Sequence, residues 1–388
     1  MPCFIAKEFM QEKKYREIVR QKLDQVDELF PQKRIAKSKE RLTRLWNGDA
    51  PLDRLPFTYS PVVASYWSIS PKEERLLMYL DEFILRGQIE DDFIPSYFPG
   101  CHQGGMATLF GAEAIEVDNL GELDTTCIRL LPEVDDAKNL EPPHFHGNTI
   151  PERWLEEAAW CIDVTDGRLP VHIVDCFGPM EIAAKLWGFE NLYLAANEQP
   201  ELYDKTMSYA TDAYIMFIEA QRKNAGDLLI ETSLNAHDWA PVGKTISLGM
   251  DSMVMISEPF FEAFCSPYLE RIVDKFAPLT IHSCGWPKHL IKFLCDSPLI
   301  NGVHMGQMTL AEMVDAGGDA GVLYIPAGVD VHNLAEHMKL VREHNLRTCL
   351  TIGGLWKNPM NEWSHKDVLK MRRTHEDLVI PLMSGKYS

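Results

Sequence analysis

Apolar positions in the first part of the chain recur at helical spacing among Glu, Lys and Arg residues, and Pro31 divides the stretch. Proline removes a backbone donor and clashes with the preceding turn, so residues 6–47 are expected to form two helices rather than one. Asn47, Gly48, Asp49 and Pro51 then stop the pattern. The apolar segment 55–63 reads as a first buried strand, and residues 73–86 return to a helical period. Residues 96–150 are rich in Gly, Pro, Asp and His with weak periodicity. They are expected to be loops and short elements laid over the open end of the fold.

The later part of the chain is more regular. Short apolar runs at residues 169–176, 226–234, 252–256, 279–282, 300–304, 321–325 and 348–352 read as buried strands. Helical patterns separate most of them: one opening at Gly178-Pro179, then 201–223, 258–276 with a break at Pro267, 289–295, 309–316, 331–344 and 362–379. Each strand of a parallel sheet needs a long crossover to reach its neighbour, and this alternation supplies one repeatedly. The expectation is a single (β/α)8 TIM-like barrel. Residues 1–50 form an N-terminal helical extension, and residues 51–388 form the barrel. A doubly wound open sheet is the main alternative. No Gly-x-Gly-x-x-Gly turn follows an early strand, which removes support for a dinucleotide site.

Composition narrows the class without changing that picture. The chain has 388 residues, 46% of them apolar and 24% charged, as in an ordinary globular protein. No apolar run approaches the roughly 18–20 residues a membrane helix needs. The start, Met1-Pro2-Cys3-Phe4-Ile5-Ala6-Lys7-Glu8, acquires charge too early for a secretory signal, so a cytoplasmic location is expected. With 57 acidic against 38 basic residues the formal charge is -19, which argues against a nucleic-acid groove. Nine dispersed cysteines do not form a disulfide framework.

Thr280-Ile281-His282-Ser283-Cys284-Gly285-Trp286 carries the sharpest chemical signal. In extended backbone, positions i and i+2 point to one face, so His282 and Cys284 can present a nitrogen and a sulfur to one centre. Zinc accepts both, and a catalytic zinc site needs a third protein ligand and an open position. Cys349, Cys295, or a carboxylate or histidine from an earlier loop could supply that ligand. Gly285 is expected to let the chain turn sharply. A packed thiol beside a histidine at a strand end is the simpler explanation of the pair taken by itself. Asp92, with Asp91, and His237 and Asp238 are the candidate acid–base or substrate-binding residues at other strand ends. Glu231, Asp175 and Cys176 share the positional argument, and His144 and His146 could place two imidazoles on one face. Met250, Met253 and Met255 read as core filling.

Several segments appear in an order shared with a known family. They are Asp53-Arg54-Leu55-Pro56, Phe110-Gly111-Ala112-Glu113, the stretch from Glu258 to Tyr268, and His282-Ser283-Cys284-Gly285. Across about residues 53–375 the chain resembles the uroporphyrinogen decarboxylase superfamily, and especially its zinc-dependent corrinoid/coenzyme M methyltransferase branch. The resemblance implies that His282 and Cys284 bind zinc. The metal would activate a thiol that accepts a methyl group from a corrinoid protein, the chain acting as methyltransferase or demethylase component. That branch carries a further ligand in a Gly-Cys segment near the carboxyl terminus, whereas residues 380–388 contain no cysteine and Cys349 comes earlier. The decarboxylase members carry paired arginines before the first strand, where this chain has Arg54. A tetrapyrrole decarboxylase and a catalytically inactive corrinoid-protein binding subunit are the alternative functions.

Overall fold

The structure, a computed structural model, describes residues 2–49, 53–59, 71–100, 104–119, 122–174, 176–232, 239–318, 321–353 and 365–384. Within these, residues 2–11, 116–119, 122–126 and 365 are described by their backbone. Pro31 divides the amino-terminal stretch into the expected pair of helices, Pro2–Leu29 and Gln32–Asn47. The second ends on Gly48, whose positive φ of 73° turns its N–H back onto the carbonyls of Arg44 and Leu45.

Eleven strands follow among the described residues: β1 Phe57–Tyr59, β2 Ala114–Asn119, β3 Glu122–Cys127, β4 Val171–His172, β5 Leu229–Ile230, β6 Ile246–Gly249, β7 Leu279–Ser283, β8 Ile300–Met305, β9 Leu323–Pro326, β10 Arg347–Thr348 and β11 Leu350–Ile352. A five-stranded sheet runs in the order β10-β9-β8-β7-β6, and β1 pairs with β11 and β4 with β5, every one of these pairs parallel. Parallel bridges join Tyr97 to Val171 and Phe177 to Gly249. The result is an α/β fold with amino-terminal helices and a central parallel sheet, arranged as a distorted TIM-barrel-like fold.

Alternate residues of the strands pack to opposite sides. Phe93, Tyr324 and Leu350 belong to the main core, whereas Ile94, Leu323, Ile325 and Cys349 form a second apolar cluster with Ala240. Leu42, Leu45 and Trp46, on one face of the helix Gln32–Asn47, complete that second cluster. The amino-terminal extension is therefore part of the interior, and each buried leucine there contributes about 1.5–3 kcal/mol.

The same helix brings Arg41 to the amino ends of the strands. Asp92 accepts from Arg41, from Arg54 at 2.5 Å and from the Phe57 N–H at 3.0 Å, while its own N–H donates to the Phe57 carbonyl at 2.9 Å. Arg41 also holds Asp53 through two 2.9 Å bonds, and this hydrogen bonding keeps the Asp53 carboxyl well below the usual carboxylate range. Asp91 accepts from the Tyr59 and Phe93 N–H groups at 3.2 Å, with Arg34 and Arg86 beside it.

Two expectations are revised, at residues 252–256 and at Met255. The run 252–256 is not a strand but sits in a 3-10 turn over Asp251–Met255, and the strand before it is β6, Ile246–Gly249. The described residues within 96–150 form short elements, as expected: the antiparallel hairpin β2–β3 and two 3-10 turns, Gly105–Phe110 and Val134–Asn139. From Ile150 to Val164 the chain forms a helix opened by a Thr149–Glu152 capping box. Met255 is exposed, although Met250 and Met253 fill the core as expected. No helix among the described residues is long and apolar enough to cross a membrane.

Candidate metal centre

β6 and β7 run in parallel with Gly249 beside His282, so both chains leave the sheet at the same carboxyl end. Two residues past β6 stands Asp251, and one past β7 stands Cys284. The ligand atoms of Asp251, His282 and Cys284 all lie within 4.8 Å of one another. His282 Nε2 is 3.2 Å from Cys284 Sγ. The Cys284 N–H donates to Asp251 Oδ1 at 2.6 Å, and the Met250 N–H donates to the His282 carbonyl at 2.7 Å. These bonds lock the two strand ends together and hold the Asp251 carboxylate against the thiol. His282 is buried, Asp251 half-buried and Cys284 exposed.

The local backbone depends on small residues. The chain bends at Cys284 and Gly285 as expected, without a left-handed conformation at Gly285, and a Cβ there would lie 2.3 Å from Val254 Cγ1. Its role is to let the segment after β7 pass beneath Val254. Gly306 does the same for β8, where a Cβ would stand 3.3 Å from the Cys284 Cα. Val254, Met255 and Trp286, within four residues of Asp251 or Cys284 in sequence, are exposed apolar residues.

On the far side of His282 from Cys284, its Nδ1 is 3.0 Å from His304 Nδ1. His304 lies in register with His282 across β7 and β8. Burial, reinforced by His282, pushes the His304 imidazole down to about 3, so it is neutral near pH 7. Glu181, at the start of the helix Pro179–Trp187, accepts from the Ser252 N–H at 2.6 Å, and burial raises its carboxyl above the usual range.

The donor set suits zinc: one imidazole nitrogen, one thiolate sulfur and one carboxylate oxygen are each ordinary zinc ligands. Zinc bonds of about 2.0 Å to nitrogen and 2.3 Å to sulfur put those atoms about 3.5 Å apart in a tetrahedron, close to the observed separation. Three protein ligands leave a fourth position open, as in catalytic rather than structural sites.

Of the other residues singled out, Asp92 lies at the opposite, amino end of the strands, where arginines and backbone take up both of its oxygens. Cys349 sits between β10 and β11 in the cluster under the helix Gln32–Asn47 and is not among the three converging donors. Cys295 is buried 3.1 Å from the Tyr324 hydroxyl. Glu231 accepts from Arg222 at 2.5 Å, Cys176 is buried in the main core, and His144 and His146 contact backbone carbonyls. His237, Asp238 and Asp175 lie outside the described residues. Sequence reasoning missed Asp251 and His304. Asp251 was concealed by placing the strand at 252–256; with it at 246–249, an aspartate at a strand end becomes visible.

The model of the uroporphyrinogen decarboxylase (URO-D) family matches residues 128–323, just over half of the chain. The chain belongs to this family. The URO-D segment contains Asp251, His282, Cys284 and His304, and excludes the amino-terminal helices and Cys349. Among solved structures, the fold is similar to a methyltransferase from Methanosarcina mazei, with a TM-score of 0.60 and 14% identity over 88% of this chain and 99% of that one. A B12-independent methionine synthase from Shewanella sp. W3-18-1, in complex with selenomethionine, matches at a TM-score of 0.45 and 10% identity over 84% and 98% of the two chains. At these identities the similarity to the first concerns the fold. No curated protein sequence matches the chain.

Proposed function

We propose that this URO-D family protein is a zinc-assisted methyltransferase or demethylase component. In this reading it passes a methyl group between a methyl-corrinoid carried by a partner protein and a thiol or related acceptor. The observation that carries the reading is the convergence of Asp251, His282 and Cys284 within 4.8 Å at the carboxyl ends of two neighbouring strands. In TIM-barrel enzymes that end is where active sites form. The description of the M. mazei protein as a methyltransferase agrees with it. The proposal extends to the architecture: a closed (β/α)8 barrel over residues 51–388, with residues 1–50 as its helical extension.

Zinc bound there would supply the positive charge that favours a thiolate acceptor over its thiol near neutral pH. His282 would contribute Nε2 and Cys284 its sulfur. Asp251 accepts the Cys284 N–H on Oδ1 and would offer a carboxylate oxygen to the metal. The carboxylate thus positions the very residue beside which it would bind. Val254, Met255 and Trp286, exposed and within four residues of Asp251 or Cys284 in sequence, would offer apolar surface beside the site.

Elemental analysis of protein purified without chelator tests the reading. About one zinc per chain is expected, lost in folded Asp251→Ala, His282→Ala and Cys284→Ala variants. Methyl transfer from methylcobalamin to a thiol should follow the zinc content. Folded wild-type protein that takes up no zinc when it is offered would reject the mechanism and leave metal-free tetrapyrrole decarboxylation or a binding role.

A further inference from the structure

A histidine that ligates through one ring nitrogen needs its other nitrogen oriented, and the usual partner is a carboxylate, a backbone carbonyl or water. His282 has another imidazole there instead. Its Nε2 faces Cys284 Sγ at 3.2 Å, while its Nδ1 faces His304 Nδ1 at 3.0 Å. Both rings are buried, with centroids 4.7 Å apart and planes inclined by 37°. Two nitrogens at this distance share one proton, and only one arrangement leaves the Nε2 lone pair of His282 directed at the cluster. In it, His282 Nδ1–H donates and His304 Nδ1 accepts.

The sheet is built to hold this contact. His282 and His304 are register partners on β7 and β8. Glycines stand two residues to either side of His304, at 302 and 306. A Cβ at Gly302 would lie 2.7 Å from Thr280 Oγ1, and one at Gly306 would lie 3.3 Å from the Cys284 Cα. On both sides of His304, therefore, β8 lies close against β7: a larger residue at 302 would force Thr280 to shift, and one at 306 would be tight. His304 is not one of the three converging donors.

We infer that His304 is a positioning residue: it fixes the tautomer and ring orientation of His282 so that Nε2 is presented to the metal. The inference rests on the metal-site reading above. Because the acceptor is an imidazole rather than a carboxylate, it adds no negative charge beside a centre already facing Cys284 and Asp251.

The test compares Co2+ binding to wild type, His304→Gln and His304→Leu by competition with a chelator, together with the visible absorption of the bound cobalt. Gln and Leu have similar volumes and differ in whether they offer an acceptor. His304→Leu should weaken Co2+ binding by about 10–100-fold and shift the cobalt bands. His304→Gln should retain affinity within a few-fold and a near-native spectrum. Equal affinities and spectra for the Leu and Gln variants would overturn the role of His304, even with wild-type binding intact. Absence of Co2+ and Zn2+ binding to folded wild type would overturn the metal site itself, and this inference with it.

Discussion

At the amino ends of the strands Arg41 and Arg54 close on Asp92, whereas at the carboxyl ends Asp251, His282 and Cys284 close on one another. Both places gather charged or polar side chains around a sheet interior, yet they are built for different ends. Around Asp92 each carboxylate oxygen receives donors from a guanidinium, a backbone N–H or both, and the charges neutralise in place. Around His282 the ligand atoms of three side chains converge on one another, within 4.8 Å. A buried carboxylate matched by guanidinium donors is satisfied within the protein, while three donors of zinc-ligating type at a strand end form a set able to bind a cation. Residue type alone does not separate the two; the partners do.

The sharpest way to break this comparison is to remove donors at the carboxyl end. The His282→Ala/Cys284→Ala double variant should fall from about one zinc per chain to none, with methyl transfer reduced by several orders of magnitude, on a fold whose circular dichroism is unchanged. The amino end should respond in the opposite sense. Asp92→Ala leaves buried Arg54 without its carboxylate and Arg41 with Asp53 alone, and should cost about 3–5 kcal/mol in denaturant unfolding, while the folded fraction keeps its zinc. Loss of zinc from folded Asp92→Ala protein would erase the distinction.

A third measurement sharpens the contrast through pH. His172 Nδ1 donates to the Thr232 carbonyl at 2.6 Å, and its Nε2 accepts from Ser96 Oγ at 2.7 Å, an arrangement that fits the neutral ring. Burial pushes this imidazole down from 6.5 to about 4, partly offset by the Thr232 bond. The unfolded chain therefore binds a proton at a pH where the folded chain does not. Stability is full above pH 6.5 and falls as pH drops towards 4, by about 3 kcal/mol from this group. Urea unfolding between pH 7 and 4 should show that slope, and it should flatten in His172→Asn. The smallest effect is expected at Cys349→Ala: about 1 kcal/mol from a lost sulfur in an apolar cluster, with zinc content unchanged.

Much of the fold was legible in order and period. The break at Pro31, the division of the 258–276 helix before Pro267 and the strand ending beside His282 all follow from local pattern. The pair His282 and Cys284 was legible for the same reason, since residues two apart at a strand end share a side. Asp251 was concealed because the Met-rich run after β6 resembles a strand but forms a 3-10 turn, displacing the strand end from where the aspartate lies. Asp91 and Asp92 look like an acidic turn in sequence; only Arg34, Arg41, Arg54 and Arg86, drawn from three separate stretches of chain, make them interior.

By itself, then, the sequence determined the alternation of strands and helices, the amino-terminal helix pair and two of the three converging donors, because each depends on residues a few positions apart. Tertiary structure decided which carboxylate joins them, that His304 stands behind His282, and that Cys349 belongs under an amino-terminal helix instead. Strand register and the choice of neighbour bring together residues 20 to 300 positions apart, and no local periodicity encodes that meeting.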